Sequence, residues 1–334
     1  MTILTFLLIV LFFIFLIGLC IGSFLNVVIL RAFSNESIAF PGSKCPTCQT
    51  PLKWYHNIPV LSYLFLKGQC AFCKEKISAQ YPVIELVTGL LFVAVFIKFG
   101  IGFNALFMLI FSSLFVVIAA TDIKERVVFD AHTYSLIIMG GIYSLFNIGG
   151  LYQGDKIITL GKISFGINNS FIAAILGLLL GVIIMEIFAR FGYLVAGTRA
   201  FGEGDTFIAA GLGAIFGWKY LLSVLVYSFI VQLILTIPVF IKKLYTKKDY
   251  RTLVSFLAFF LIIIAMKWVD YASDIVNIYL FTTITVLLCG VGFYLCKRIL
   301  GGLHDKENMT YLPFGPALVV GALIMLFSLP VRPF

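Results

Sequence analysis

The chain has 334 residues, 61% of them hydrophobic and 12% charged, with a formal net charge of +9. Soluble domains carry about 25% charged residues, and the mean hydropathy here is +1.09, so a soluble globular protein is excluded. The excess of Lys and Arg falls in loops between apolar runs, where membrane topology and contact with anionic lipid explain it without a nucleic-acid partner.

The pattern predicts an all-α polytopic membrane protein with about ten spanning helices. The apolar segments lie at about 3–30, 82–98, 104–121, 132–149, 170–191, 206–218, 220–241, 252–268, 275–296 and 312–329. A span needs roughly 17–25 residues, so 206–218 either begins inside the preceding loop or stops short of full depth. The run Ile3 to Ile21 has no basic residue ahead of it and no small-x-small cleavage site after it. It reads as a retained first helix and not as a signal peptide. With the N-terminus outside, most Lys and Arg residues fall in inner loops, and the outer loops keep only Lys98, Lys156, Lys162, Lys219, Lys267 and Arg332. That asymmetry sets the orientation. Gly18-x3-Gly22, Gly177-x3-Gly181 and Gly213-x3-Gly217 predict close helix contacts, because small residues four apart let backbones approach in lipid.

The one sizeable polar stretch, Arg31 to Tyr81, holds four of the seven cysteines. Fifty residues is long for a loop without structure of its own, so a small folded module is expected. Cys45-Pro-Thr-Cys48 and Cys70-Ala-Phe-Cys73 can each turn two thiolates toward one point. Four thiolates make a closed tetrahedral zinc site, structural and not catalytic. A cytoplasmic placement keeps thiols reduced and disfavours disulfides. Cys20, Cys289 and Cys296 lie in apolar runs and read as buried side chains.

Two acids stand out against the apolar background. Asp122 closes the third span in Ala-Ala-Thr-Asp-Ile, and Asp205 ends Gly202-Glu-Gly-Asp205 at the start of the sixth. An isolated carboxylate costs about 2.5–3.5 kcal/mol at membrane depth on insertion scales. Helix parity puts both at the same face, where they can meet. One ionised carboxyl can take a proton from water while the other, protonated, hydrogen-bonds a peptide carbonyl. Gly202 and Gly204 allow close backbone approach or positive φ just before a helix. Asp130 is placed to cap the fourth helix, and Glu85 lies in the first turn after Pro82, where a helix N-terminus favours negative charge. Glu186 has Arg190 one turn away as an ion-pair partner, and Glu203 is a loop residue. His56, His132 and His304 are scattered without ligand spacing.

Taken together, these residues resemble the type IV prepilin peptidase family, also called leader peptidase/N-methyltransferase. The resemblance covers most of the chain. It runs from Gly22-Ser-Phe-Leu-Asn-Val-Val-Ile-Leu-Arg31 through the double Cys-x-x-Cys module to Ile77-Ser-Ala-Gln-Tyr-Pro-Val-Ile-Glu-Leu-Val-Thr-Gly89. Asp122 with Asp130 follows, then Gly202-Glu-Gly-Asp205, and finally Pro313-Phe-Gly-Pro316. It implies a GxGD intramembrane aspartyl protease of the bacterial cytoplasmic membrane, with Asp122 and Asp205 catalytic and Gly202, Gly204, Asp130 and Glu85 in support. Such an enzyme cuts the basic leader of prepilins or pseudopilins on the cytoplasmic side. Many members then N-methylate the new N-terminus from S-adenosylmethionine, an activity associated with the cysteine module. Gln80 stands where the family often has Arg, and Phe207 where it often has Lys. Two spans are added before Pro313.

The implied division is a first transmembrane helix (1–30), a cytoplasmic zinc-binding module (31–81) and a catalytic helical core (82–241). An additional two-helix insertion (242–311) and a C-terminal helix (312–334) complete it. Two rival readings are a proton- or cation-coupled transporter, which needs acids near mid-bilayer and broken helices, and a methyltransferase alone, for which no Gly-rich dinucleotide-like fingerprint is visible.

Overall fold

A computed structural model describes residues 3–34, 37–40, 42–145, 158–160, 163–165, 170–196, 199, 201–246 and 313–329, with 248, 250, 254, 255, 290 and 294. The described chain is mainly helical. The long helices are α1 (Ile3–Ser34), α3 (Gln80–Phe99), α4 (Phe103–Glu125), α5 (Asp130–Leu145), α6 (Ser170–Ala196), α7 (Glu203–Thr246) and α8 (Gly315–Ser328). A 3-10 turn (Trp54–Asn57) and the short α2 (Leu61–Phe65) lie between α1 and α3. Among the described residues, five helices are long and apolar enough to cross a membrane: Ile3–Ser34, Gln80–Phe99, Phe103–Glu125, Phe171–Leu194 and Glu203–Lys242. These make the protein a multi-pass membrane protein. α5, with 16 residues, and α8, with 14, are shorter. The expected spans at 252–268 and 275–296, and nearly all of the 242–311 insertion, lie outside the described residues.

Two expectations are refined. The chain is not wholly helical: β1 (Ile158–Leu160) pairs antiparallel with β2 (Ile163–Phe165), with Ile158 opposite Phe165. Ile158, Thr159 and Ile163 are β-branched and Phe165 aromatic, types that suit an extended pleat. The segments expected at 206–218 and 220–241 form one helical run, broken at Gly217, where φ is 68° and ψ 171°. Only glycine takes that conformation without steric cost, so the break falls close to the expected boundary.

α4 contributes to both apolar cores. Phe107, Phe111, Phe115 and Ile118 lie in a core shared with Leu136 and Tyr143 of α5, Ile208 and Leu212 of α7, and Leu318 of α8. Val116 and Val117, on another face of α4, pack with Leu25 and Ile29 of α1 and Ile84 of α3. The glycine stripes form the expected contacts. Gly18 and Gly22 of α1 abut the backbone of Gly89 and Glu85 of α3, and Gly177 of α6 abuts Gly213 of α7, with no room for a Cβ at any of the three.

Candidate active site

Asp122 lies on the last turn of α4, and the end of that helix is specified locally. Arg126 adopts a left-handed conformation (φ 57°, ψ 36°), and its N–H donates to the Asp122 carbonyl at 2.9 Å. This is the αL cap that glycine usually provides. The Asp122 side chain is only 5% exposed. Its Oδ2 accepts a hydrogen bond of 2.9 Å from the backbone N–H of Gly315, the first residue of α8. Pro316 follows at the start of that helix, where its missing N–H costs nothing. The carboxyl thus sits at a helix N-terminus, where unpaired N–H groups favour an anion. A Cβ on Gly315 would overlap the Asp122 carboxyl.

Asp205 lies in the first turn of α7 and is 6% exposed. Its Oδ2 accepts 3.1 Å from the N–H of Gly202. Gly202 precedes the first residue of the helix and Asp205 is third within it, so the bond is the back-reaching half of a capping box. Gly204 is required for close approach: a Cβ there would come within 2.6 Å of Cβ of Val128, in the α4–α5 connection. Neither Gly202 nor Gly204 has positive φ. Gly202 and Gly315, which hold the two acids, follow Phe201 and Phe314, whose rings lie 4.8 Å apart, so both carboxyls lie in one part of the structure.

Sequence reasoning missed the clamp on the segment before α7. Arg199 pairs with Glu186 of α6 on one side and, at 3.1 Å, with Glu203 of α7 on the other. The expected Glu186–Arg190 pair is present, but at 3.8 Å and with Arg190 largely exposed. An aromatic wall was also missed: the Phe314 ring lies 4.8 Å from that of Phe201 and 5.3 Å from that of Phe229. Phe201 and Phe314 immediately precede the two glycines that hold the acids. Phe207 rests edge-on to Tyr134 at 5.7 Å.

Of the other supporting positions, Asp130 opens α5 as expected but is exposed, and its carboxyl joins the hydrogen bonds of neither acid. Glu85 is buried and holds the polar module: its Oε2 accepts 2.7 Å from the N–H of Val60. That role differs from the helix-terminus role expected for it.

The cysteine module is built from two copies of one turn. Cys45 N–H donates to Thr50, Gln49 N–H to Cys45 and Leu52 N–H to Ser43; in the second copy Cys70 donates to Glu75, Lys74 to Cys70 and Ile77 to Gly68. Gln49 and Lys74 take the same left-handed conformation (φ 56° and 61°). The four Sγ atoms lie within 4.8 Å of one another, and Cys45 Sγ is 3.8 Å from Cys73 Sγ. Zn–S bonds of about 2.3 Å put tetrahedral sulfurs about 3.8 Å apart, so the cluster fits a four-thiolate metal site. Hydrogen bonds from the Thr50 side chain and backbone lower the Cys48 thiol to about 6. At Cys73 the Glu75 backbone pulls the other way, but burial and the neighbouring sulfurs raise the thiol to about 11.

Residues 16–99 match the family described as Bacterial Peptidase A24 N-terminal domain, and residues 109–237 match the Type IV leader peptidase family. Similar relatives include several with the printed name prepilin leader peptidase/N-methyltransferase. That of Aeromonas hydrophila is 32% identical over 210 residues, covering 50% of this chain and 72% of the relative. That of Klebsiella pneumoniae is 40% identical over 146 residues, covering 42% and 63%. That of Myxococcus xanthus is 47% identical over 113 residues, covering 34% of each. The matched stretches thus span less than two thirds of the last two relatives. No solved structure matches. The two matched families adjoin along the chain, one ending where the second membrane helix ends and the other carrying both acids, and the chain belongs to the type IV leader peptidase family.

Proposed function

We propose that the protein is an intramembrane aspartyl endopeptidase that removes the leader peptide of type IV prepilins or pseudopilins. In this reading Asp122 and Asp205 are the catalytic pair. The observation that carries it is the pairing of two buried carboxyls from α4 and α7, each fixed through Oδ2 by one backbone N–H. Among the described residues no hydrogen bond reaches Oδ1 of either acid, which leaves it for water and substrate. One acid, ionised, takes a proton from water as the water oxygen attacks the scissile carbonyl carbon. The other, protonated, donates to the carbonyl oxygen as negative charge develops there. When the C–N bond breaks, the acid that gained the proton gives it to the leaving amine, and the other takes a proton back from a hydroxyl of the tetrahedral intermediate as the new carbonyl forms. Phe201 and Phe314, packed with Phe229, precede the two glycines that hold the acids and would limit water at that side of the pair. Gly204 brings α7 against Val128 and so sets the spacing between the helices that bear the acids.

The membrane is the bacterial cytoplasmic membrane, with about ten spans, the N-terminus outside and the cysteine module in the cytoplasm, as Lys and Arg placement supports. A prepilin reaches the pair laterally, because its own apolar helix adjoins the cut. Cys45, Cys48, Cys70 and Cys73 would hold zinc, and a closed four-thiolate set stabilises a fold without offering a site for water. A second activity, N-methylation of the new N-terminus from S-adenosylmethionine, rests on the printed names of the relatives. No side chain is assigned to the methyl donor.

Mass spectrometry of a prepilin incubated with the purified protein, with and without S-adenosylmethionine, tests both activities. The expected product has lost its leader, and gains one methyl only when the donor is present. Cleavage by purified Asp122→Asn or Asp205→Asn protein would refute the catalytic assignment, and metal analysis finding no zinc would refute the metal.

A further inference from the structure

We propose that the cysteine module is a lipid-docking element. Its apolar face lies in the headgroup layer beside α1 and α3, and its lysines meet anionic lipid phosphates. The inference rests on the membrane placement in the proposed function and not on catalysis.

The first observation is an apolar face on a polar module. Trp54 is 80% and Phe65 82% exposed, and Leu61 and Leu64 are exposed beside them. Leu61, Leu64 and Phe65 stand at i, i+3 and i+4 of α2, on one side of a single helical turn. Rings continue this surface: Trp54 lies 5.7 Å from Tyr55, Tyr55 4.4 Å from His56, and His56 5.4 Å from Phe72. Phe72 sits between Cys70 and Cys73, so the four-sulfur cluster holds the face in shape. An exposed patch of this kind marks an interaction site.

The second observation is charge. Lys44, Lys53, Lys67, Lys74 and Lys76 are all exposed, and Glu75 is the only acid from residue 37 to residue 79. A basic surface flanking exposed Trp, Leu and Phe is the composition of elements that lie in a bilayer interface. Trp and Tyr favour that layer because one end is apolar and the other polar. Lysines near the surface are attracted to anionic lipid.

The third observation fixes the level of the face. Val60, the residue before α2, donates its N–H to Glu85 of α3 at 2.7 Å. Glu85 lies about 7–8 Å along the helix from Gln80 at about 1.5 Å per residue, already beside apolar turns. Asn26 of α1 ties the same corner, its Nδ2 donating to the Tyr81 carbonyl at 3.1 Å. Val60 has φ 61°, a strained conformation for a β-branched residue that persists only where its surroundings impose it. The module is therefore drawn down against the membrane helices. Continuity with the spanning helices and the basic charge both select a lipid surface as what covers the face.

The test places the full chain, with Trp218→Phe and Trp268→Phe so that Trp54 is the sole indole, in nanodiscs. One set contains phosphatidylcholine and the other an equal mixture with phosphatidylglycerol. Expected are quenching of Trp54 by lipids brominated near the carbonyl, protection from aqueous iodide, and a stronger response in the anionic discs. Trp54 open to iodide and untouched by brominated lipid overturns the proposal, and equal responses in the two lipids overturn its electrostatic part. The unsubstituted chain gives a second measurement with photoactivatable phosphatidylglycerol. Cross-links in residues 54–65 support docking, and cross-links confined to the spanning helices overturn it. Neither readout uses peptidase activity, so failure here and failure of the proteolytic reading are separable.

Discussion

The two candidate acids are held by the same kind of bond, reached in opposite ways. Asp205 accepts from Gly202, three residues away within the first turn of its own helix. Asp122 accepts from Gly315, 193 residues further along the chain. The first bond forms whenever α7 forms. The second exists only when α8 packs against α4, so Asp122 is placed by tertiary structure and Asp205 by local structure. The lesson is that the two halves of one candidate site can differ in what disrupts them.

The largest expected effect removes the comparison altogether. Asp122→Asn and Asp205→Asn should each lower leader cleavage by about 10⁴-fold or more, as loss of a residue within a catalytic unit does; the check is product formed per hour by purified, membrane-inserted protein. The next substitution separates the two supports. Gly315→Ala forces a methyl into the Asp122 carboxyl, and misplacement by about 1 Å can cost about 10²-fold. Gly202→Ala meets only an ordinary contact, 3.6 Å from Asp205 Oδ2, and should leave kcat within a few-fold of the parent. Equal losses in the two alanine variants would remove the distinction between a remote and a local support.

A smaller effect should follow from Arg199→Ala. The ion pairs to Glu186 and Glu203 are partly exposed, with Arg199 at 25%, and pairs of that kind contribute roughly 1 kcal/mol or less. The expected outcome is a fall of a few-fold in kcat with little change in KM, partly restored by Arg199→Lys. The smallest effect on cleavage should come from Cys45→Ser with Cys73→Ser. This pair should lose bound zinc by metal analysis and speed amide exchange across residues 43–77, while peptide hydrolysis persists.

These contrasts follow what was legible in the sequence. The cysteine module could be read because its information is local: each Cys-x-x-Cys turn closes on itself within a few residues, and the second repeats the first. Asp205 could be read for the same reason, since Gly-x-Gly-Asp is a helix start with its own cap. The described helix segments were legible from hydropathy, as was the break near residue 218, although a positive φ at Gly217 had no periodic signature. Asp122 was visible as an acid at the end of an apolar run. Its partner was not, because a backbone N–H leaves no trace in the identity of the residue that carries it; only the absence of a side chain at Gly315 hinted at crowding. Arg199 was overlooked because helical spacing pointed to Arg190 for Glu186, whereas the pairing that formed spans the turn between α6 and α7. Glu85 was assigned to its own helix terminus, and the Val60 N–H it accepts from comes from a loop whose path periodicity does not predict.

The Gly315 bond also bears on the order of biosynthesis. A ribosome must deliver α8 before the acid on α4 acquires its donor, so a nascent or prematurely terminated chain carries both aspartates with only Asp205 supported. On the proposed function, cleavage therefore waits for the insertion of α8, which carries Gly315. Supplying residues 313–334 as a separate peptide to a chain ending before Pro313 should restore some cleavage, and a truncated chain already as active as the intact one would show that the deferral does not exist.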